Sequence, residues 1–401
     1  MAGPLAAPGR RRRRHPALLL SALLLGLFAA ALLVEAGFRL LWTLPPYFAE
    51  FAQAGMYVQG PAGGVALVPG YRGTLRIGDA ATTAVNVNAA GLRGAELPPA
   101  IAGQRRVLVL GDSVVFGYGV EDGEALPARI EQALRTASVP AVVGNAGISG
   151  TGVNHAVERL AELDASLHAD AFVLCAFLGN DAIDLARPLR TVYAGLLLQA
   201  PVARLVHTSW RTRLALRSRA WLWFEAWILT NSPANSPLAS VPVDPAEAER
   251  AAGLPSDAQL HAGLFLDAID ETTAFVPGQP PLLPRLSGWL RESLVAAKTT
   301  AGRRPLLFVV LPTLWQVDDA KRVQHLRELG FDPGKFDRGR AQQRWLAVAR
   351  DLGVTALDAT PILAAEPDPA GLFLADGGHL SVRGSEVVGT WLAGELAPLL
   401  R

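Results

Sequence analysis

"RVLVLGDSVVFGYGV", residues 106–120, is the stretch whose reading decides the fold. After Arg106 it opens with a short, continuous apolar run, Val107–Leu110, the pattern of a strand buried on both faces of a sheet. The run breaks on Gly111-Asp112-Ser113. That triplet reads as an ordinary strand-to-helix turn, or as a turn that presents the Ser113 hydroxyl. What the rest of the chain delivers to the same place separates the two readings.

Working outward, "GEALPARIEQALRTA" (123–137) carries Leu126, Ile130 and Leu134 at helical spacing. "PAVVGNAG" reads as a second strand, and "GVNHAVERLAELDASL" as an amphipathic helix with Val153, Val157, Leu160 and Leu163 on one face. "AFVLCAF" is a third strand, "PLLFVVLP" (305–312) a fourth and "VTALD" (354–358) a fifth, and "SVRGSEVVGTWLAGEL" closes the chain as a helix. Strands alternating with helices predict an α/β fold with a central parallel sheet between helical layers. Ligands of such sheets sit at the carboxyl ends of the strands. A single α/β domain is therefore expected over 105–401, interrupted over about 186–302, where the rhythm is lost. That interruption is expected to be a cap-like insertion over the strand ends, with the loop-like middle "NSPANSPLASVPVDPAEAE".

The amino end has its own pattern. "GRRRRRH" (Gly9–His15) belongs to a basic segment, 1–15, followed by the uncharged run "PALLLSALLLGLFAAALLV" (16–34). That run is long enough to span a bilayer core and longer than an ordinary signal-peptide core. A transmembrane signal-anchor helix is expected over 16–43, and the lipid bilayer is its partner. The arginine excess places the N-terminus in the cytoplasm and the main domain outside, periplasmic or extracellular. The alternative is secretion after cleavage near Ala29-Ala30-Ala31. Residues 47–104, rich in Gly and Pro with short β-like pieces, read as an extracytoplasmic lead-in with a hairpin or two.

Composition excludes several functions. The 401 residues carry a formal net charge of +1, so no basic field argues for nucleic acid. The single cysteine, Cys175, rules out an internal disulfide and a cysteine-rich metal site. The histidines show no metal-ligand spacing, and Gly111, Gly117 and Gly119 lack the phosphate-loop pattern. Neither cofactor nor metal is expected.

Three signals fall where a parallel sheet would gather them. Ser113 follows the first strand, "LGND" (178–181) follows the third, and "DGGHLS" (376–381) precedes the last helix. The chain order Ser, Asp, His suits a hydrolytic triad on an α/β sheet. A serine hydroxyl needs a base within hydrogen-bond reach, and His379 is that base because imidazole exchanges a proton near neutral pH. Asp376, three residues earlier, would hold its tautomer. Donors for an oxyanion are the backbone N–H groups of Ser113 and Gly147 and the side-chain amide of Asn180. Asp112 and Asp181 read as structural, bonding their loops to backbone.

With these residues in place the sequence resembles the SGNH/GDSL hydrolases, serine esterases on a flavodoxin-like, three-layer sheet. The matching blocks are Gly111-Asp112-Ser113, Gly147, Gly179-Asn180-Asp181 and Asp376-x-x-His379, with Val114 where the family name has leucine. "VNVNAAGLRGAEL" (85–97) further resembles segments preceding the serine block in membrane-tethered bacterial members. The resemblance spans about 85–185 and 303–399. It implies that Ser113, Gly147, Asn180 and His379 are the four name-giving residues and Asp376 the third triad member. The implied reaction is hydrolysis of an ester, acyl or acetyl, on a lipid or glycan, through an acyl-enzyme. O-acyl transfer to a polysaccharide, or a non-catalytic binding role, are the alternatives.

One further feature falls in the interruption. Residues 185–224 hold Arg187, Arg190, Arg204, Arg211, Arg213, Arg217 and Arg219 and no acidic residue. Trp210, Trp221, Trp223, Phe224 and Trp227 are interleaved or follow. One reading of such a stretch is contact with anionic headgroups, or with an anionic glycan or lipid substrate. The simpler reading is a helical cap with packed tryptophans and solvated arginines.

Overall fold

The structure is a computed structural model that describes residues 16–42, 55–60, 63–77, 81–99, 101–186, 190–193, 195–199, 205–206, 208–232, 282–328 and 330–401. The chain divides into two compact units. One contains the N-terminal helix and the described residues of 205–240, and the other contains the sheet.

The strands of the sheet unit are β1 (Tyr57–Gln59), β2 (Val65–Leu67), β3 (Arg72–Ile77), β4 (Ala81–Asn86), β5 (Arg105–Leu110), β6 (Ala141–Asn145), β7 (Ala171–Phe177), β8 (Arg190–Tyr193), β9 (Leu196–Gln199), β10 (Leu306–Leu311) and β11 (Thr355–Asp358). Five form one parallel sheet in the order β6-β5-β7-β10-β11. This is the flavodoxin-like order, in which the strand sequence reverses beside the first strand. All five sequence-predicted strands are members, at the positions the apolar runs gave them.

Period-two alternation divides the core into two layers. Leu108, Leu110, Phe172, Leu174, Phe308 and Val310 face the helices Val153–Leu167, Leu282–Ala301 and Arg340–Asp351. Val107, Val109, Val173, Cys175, Val309 and Leu311 face Leu126–Thr136 and Val382–Leu400. Every one of these strand residues is buried, each contributing about 1.5–3 kcal/mol for the larger side chains. The fold is thus a three-layer α/β architecture, and its central strands are apolar on both faces because helices cover both.

The lead-in forms two antiparallel hairpins, β1-β2 and β3-β4. Their apolar side chains, among them Met56, Leu67 and Val85, share a core with Phe116, Tyr118 and Ile148. The lead-in therefore packs on the segment that follows Ser113.

The interruption expected over 186–302 needs correction. Leu282–Ala301 is a core helix, because Leu286, Leu290, Leu294, Ala297 and Ala301 recur at helical spacing and are buried in the sheet's core. β8 and β9 form a hairpin in the sheet unit, and Trp210–Ala215 and Arg219–Asn231 are helices of the other unit. The expected segment 1–15 and residues 233–249 of the loop-like middle lie outside the described residues, and that middle's first residue, Asn231, ends a helix.

In the smaller unit, the helix Pro16–Leu41 has no buried residue, and a window of it reaches a mean hydropathy of 2.7. It ends at Leu41, slightly earlier than the expected 16–43 span.

Candidate active site

β5 ends at Leu110, and the chain turns at once into the one-turn helix Ser113–Phe116. Asp112 caps that helix, its Oδ1 accepting from Val114 N at 2.9 Å. Gly111 is required by space: a Cβ there would lie 2.5 Å from a Val115 methyl and 3.1 Å from the Cys175 carbonyl oxygen. Ser113 thus starts a helix at the carboxyl edge of the sheet, with its backbone fixed by a cap and by contact with β7.

Far along the chain, the turn Asp376–His379 closes on itself. Asp376 Oδ1 accepts from Gly378 N at 2.9 Å and His379 N at 3.0 Å. Its Oδ2 is 2.6 Å from His379 Nδ1, and His379 Nε2 is 2.8 Å from Ser113 Oγ. The carboxylate needs a proton on Nδ1, so Nε2 is left to accept the hydroxyl hydrogen of Ser113. Burial pushes the Asp376 carboxyl up, but the bonds from the His379 ring and from the two backbone N–H groups hold it below the ordinary value. It therefore stays ionised at neutral pH. Tyr118 lies against the imidazole with ring centroids 4.4 Å apart.

Asn180 stands on the turn after β7, the neighbour of β5. Its Nδ2 donates to Asp184 Oδ2 at 2.7 Å. Only the amide nitrogen can donate to a carboxylate, so this bond fixes the amide's orientation and leaves its second hydrogen for another acceptor. Asp184 is paired in turn with buried Arg190, whose Nε donates to the Gly150 carbonyl at 2.8 Å. One ion pair thus ties the Asn180 turn to the loop that carries Gly147.

Gly147 lies on the loop that follows β6. Its N–H donates to Asn145 Oδ1 at 3.1 Å, so this hydrogen is already engaged. A Cβ on Gly147 would lie 2.2 Å from Phe116 N, which makes close backbone approach the reason for glycine. Asn145 completes the clamp by donating from Nδ2 to the Phe116 carbonyl at 3.1 Å.

Behind the serine lie the buried carboxyls of Asp112, Asp181 and Asp184, and Arg190 is bonded to one of them. Burial pushes Asp112 up to about 6, against the lowering effects of the Val114 N–H bond and His379. Burial, with Asp112 and Asp184 nearby, pushes Asp181 well above the usual carboxylate range. As expected from sequence, both bond to backbone: Asp181 Oδ2 accepts from Phe177 N at 2.8 Å.

Sequence reasoning missed Arg93. This buried lead-in residue donates to the carbonyls of Phe116, Gly117 and Val120 at 2.8, 2.5 and 2.7 Å, and pairs with Asp122 at 2.7 Å. It holds the chain leaving the Ser113 helix. The available signal was its place in "AAGLRGAEL", a segment whose resemblance preceded the serine block. Arg190, counted with the arginine-rich stretch, belongs instead to the interior of the sheet unit. A cleft of about 940 Å³ between the lead-in and β6, lined by Arg93, Asp122 and Glu131 among others, contains none of Ser113, Asp376 and His379.

No family model and no curated protein matches the chain. Among solved structures it is similar to a lipase/acylhydrolase from Enterococcus faecalis, at 14% identity and a TM-score of 0.37, over 73% of this chain and 96% of that one. TesA follows at 14% identity and a TM-score of 0.36, over 74% and 99%. A catalytic mutant of Axe2, an acetylxylan esterase from Geobacillus stearothermophilus, is 12% identical with a TM-score of 0.37, over 74% and 95%.

Proposed function

We propose that the chain is a serine esterase of the SGNH/GDSL type, held to a membrane by its N-terminal helix with the sheet unit outside the cytoplasm. The observation that carries the reading is the continuous line from Asp376 Oδ2 through His379 to Ser113 Oγ, with contacts of 2.6 and 2.8 Å.

The chemistry follows from that line. Ser113 Oγ attacks the ester carbonyl carbon while its proton passes to His379 Nε2. The imidazolium is stabilised by Asp376 through the Nδ1 hydrogen. Negative charge develops on the former carbonyl oxygen, where the Ser113 N–H and the free hydrogen of the oriented Asn180 amide stabilise it. Gly147 is left out of this role, and its contribution is to let the two backbones meet. Collapse breaks the ester C–O bond, and the Nε2 proton goes to the departing alkoxide. Water then attacks the acyl-Ser113 carbonyl with His379 again as base, releasing the acid and the free serine. No step calls for a cofactor.

Anchoring is supported by the uncharged run 16–34 within the exposed helix Pro16–Leu41. The test uses the full chain in detergent with a short-chain acyl ester, alone and with a glycan acceptor. Free acid should accumulate, a fluorophosphonate should label wild type, and Ser113→Ala should abolish both signals. Acyl groups appearing on the glycan instead of as free acid would make the protein a transferase. An inert, unlabelled wild type would overturn the esterase reading.

A further inference from the structure

We infer that the helices Trp210–Ala215 and Arg219–Asn231 form a second membrane-contacting element, lying in the headgroup layer where the N-terminal helix leaves the bilayer. The inference rests on the anchoring part of the proposed function and is independent of the esterase chemistry.

Position is the first argument. The uncharged run 16–34 measures about 28 Å as a helix, close to the hydrocarbon thickness of a bilayer. Glu35 is the first charged residue after it and marks the boundary of the core. The Arg219–Asn231 helix begins at that boundary. Glu35 Oε1 accepts from Arg219 N at 3.0 Å, and its Oε2 from Ala220 N at 3.2 Å and Ser218 Oγ at 2.7 Å. One turn on, Arg39 donates to the Arg217 carbonyl at 3.0 Å, and the Phe38 ring lies 5.5 Å from that of Trp223. Phe38 is only about 5 Å farther along the axis than Glu35, within the interfacial zone on that side. A helix bonded to these residues starts at headgroup depth.

Surface chemistry is the second argument. Trp210, Trp221, Phe224 and Trp227 form a continuous string of rings, with successive centroids 5.7, 5.3 and 6.3 Å apart. Trp210, Phe224 and Trp227 are exposed, as are Trp223 and Leu214. Exposed tryptophans in a row are costly in water and suited to an interface, where the ring is buried and the indole N–H stays wet. The acidic residue of this segment, Glu225, is buried and held by both ends of the Arg211 fork at 2.8 Å and by Trp221 Nε1 at 3.0 Å. Its charge is matched inside the element, and the exposed Arg213 lies on the same helices to meet headgroup phosphates. The expectation of a helical cap with merely solvated arginines gives no reason for this aromatic row to be exposed.

The test is a depth measurement on the full chain in phosphatidylcholine/phosphatidylglycerol vesicles. In a Cys175→Ala background, a nitroxide is placed at Trp227→Cys, at Trp210→Cys and, as an aqueous control, at Arg135→Cys, whose side chain is 74% exposed. Collision with oxygen relative to a water-soluble nickel complex should be several-fold higher at 227 and 210 than at 135. Ratios at 227 and 210 equal to the control would overturn the inference, as would exclusion of both reagents, which marks cover by another protein surface. Without any label, lipids brominated near the headgroup should quench tryptophan emission more than lipids brominated deep in the chain. That excess should fall in Trp210→Phe/Trp227→Phe, and an unchanged excess would count against the element. A chain that fails to float with vesicles fails the anchoring reading itself. One that floats with an aqueous Trp227 site fails this inference alone.

Discussion

Ser113 and His379 touch each other yet are held in opposite ways. The serine side is interior: Asp112 caps its helix, Arg93 and Asn145 bind the carbonyls leaving it, and Gly147 presses against its backbone. The histidine side is a surface turn whose main internal bonds come from one carboxylate, with the Asp376 side chain 42% exposed. The place of Ser113 is over-determined by the fold, whereas His379 is placed by a local turn that its contact with Ser113 helps to complete. Damage on one side should therefore unfold the protein, and damage on the other should silence it.

Asp376→Asn is the sharpest probe of the histidine side. It removes the charge that fixes the tautomer, and kcat for ester hydrolysis should fall about 10⁴-fold. Thermal unfolding should barely move, and a large loss of melting temperature would show that this turn is structural after all. Arg93→Ala tests the serine side. It strands buried carbonyls and Asp122, and should cost about 3–5 kcal/mol in denaturant-unfolding stability. Near-native stability in that variant would break the contrast.

Asn180→Ala probes the oxyanion. We expect kcat to drop about 10²–10³-fold with KM nearly unchanged, read from steady-state kinetics. A KM effect alone would assign the amide to substrate binding. The smallest effect concerns pH. Asp112 is raised to about 6 in the fold, from 3.8, so the folded state keeps a proton that the unfolded chain releases. Its contribution to stability is present below about pH 4 and is lost as pH rises to about 6, by up to about 3 kcal/mol. Asp112→Asn retains a cap acceptor for Val114 N and does not titrate. The stability of wild type relative to this variant should decline between pH 4 and 6 and stay level above. A flat difference would mean that Asp112 is ionised throughout.

Much of the fold was legible because the information is local. Apolar runs such as "RVLVL" and "AFVLCAF" announce strands covered on both sides, and Ser113, Asn180 and His379 stand at chain positions that a parallel sheet gathers at one edge. Where the reading erred, the missing quantity was a partner. Leu282–Ala301 was folded into an insertion because its face had no visible counterpart until the sheet supplied one. At Gly147 the sequence shows a glycine but not that Asn145, two residues away, accepts its N–H.

By itself the sequence determined the order of strands and helices, the sharp turn at Gly111-Asp112-Ser113, the local Asp376–His379 bond and the uncharged run at the amino end. Each is written in the spacing of neighbours along the chain. Only the tertiary structure decided that Arg93 holds the chain after Ser113, that Asp184 and Arg190 orient Asn180, and that Glu35 caps a helix beginning at Arg219. A polar side chain carries the capacity to bond but not the identity of its partner. When that partner lies about 180 residues away, as for Glu35, the choice is made by whichever packing leaves the fewest buried groups unmatched.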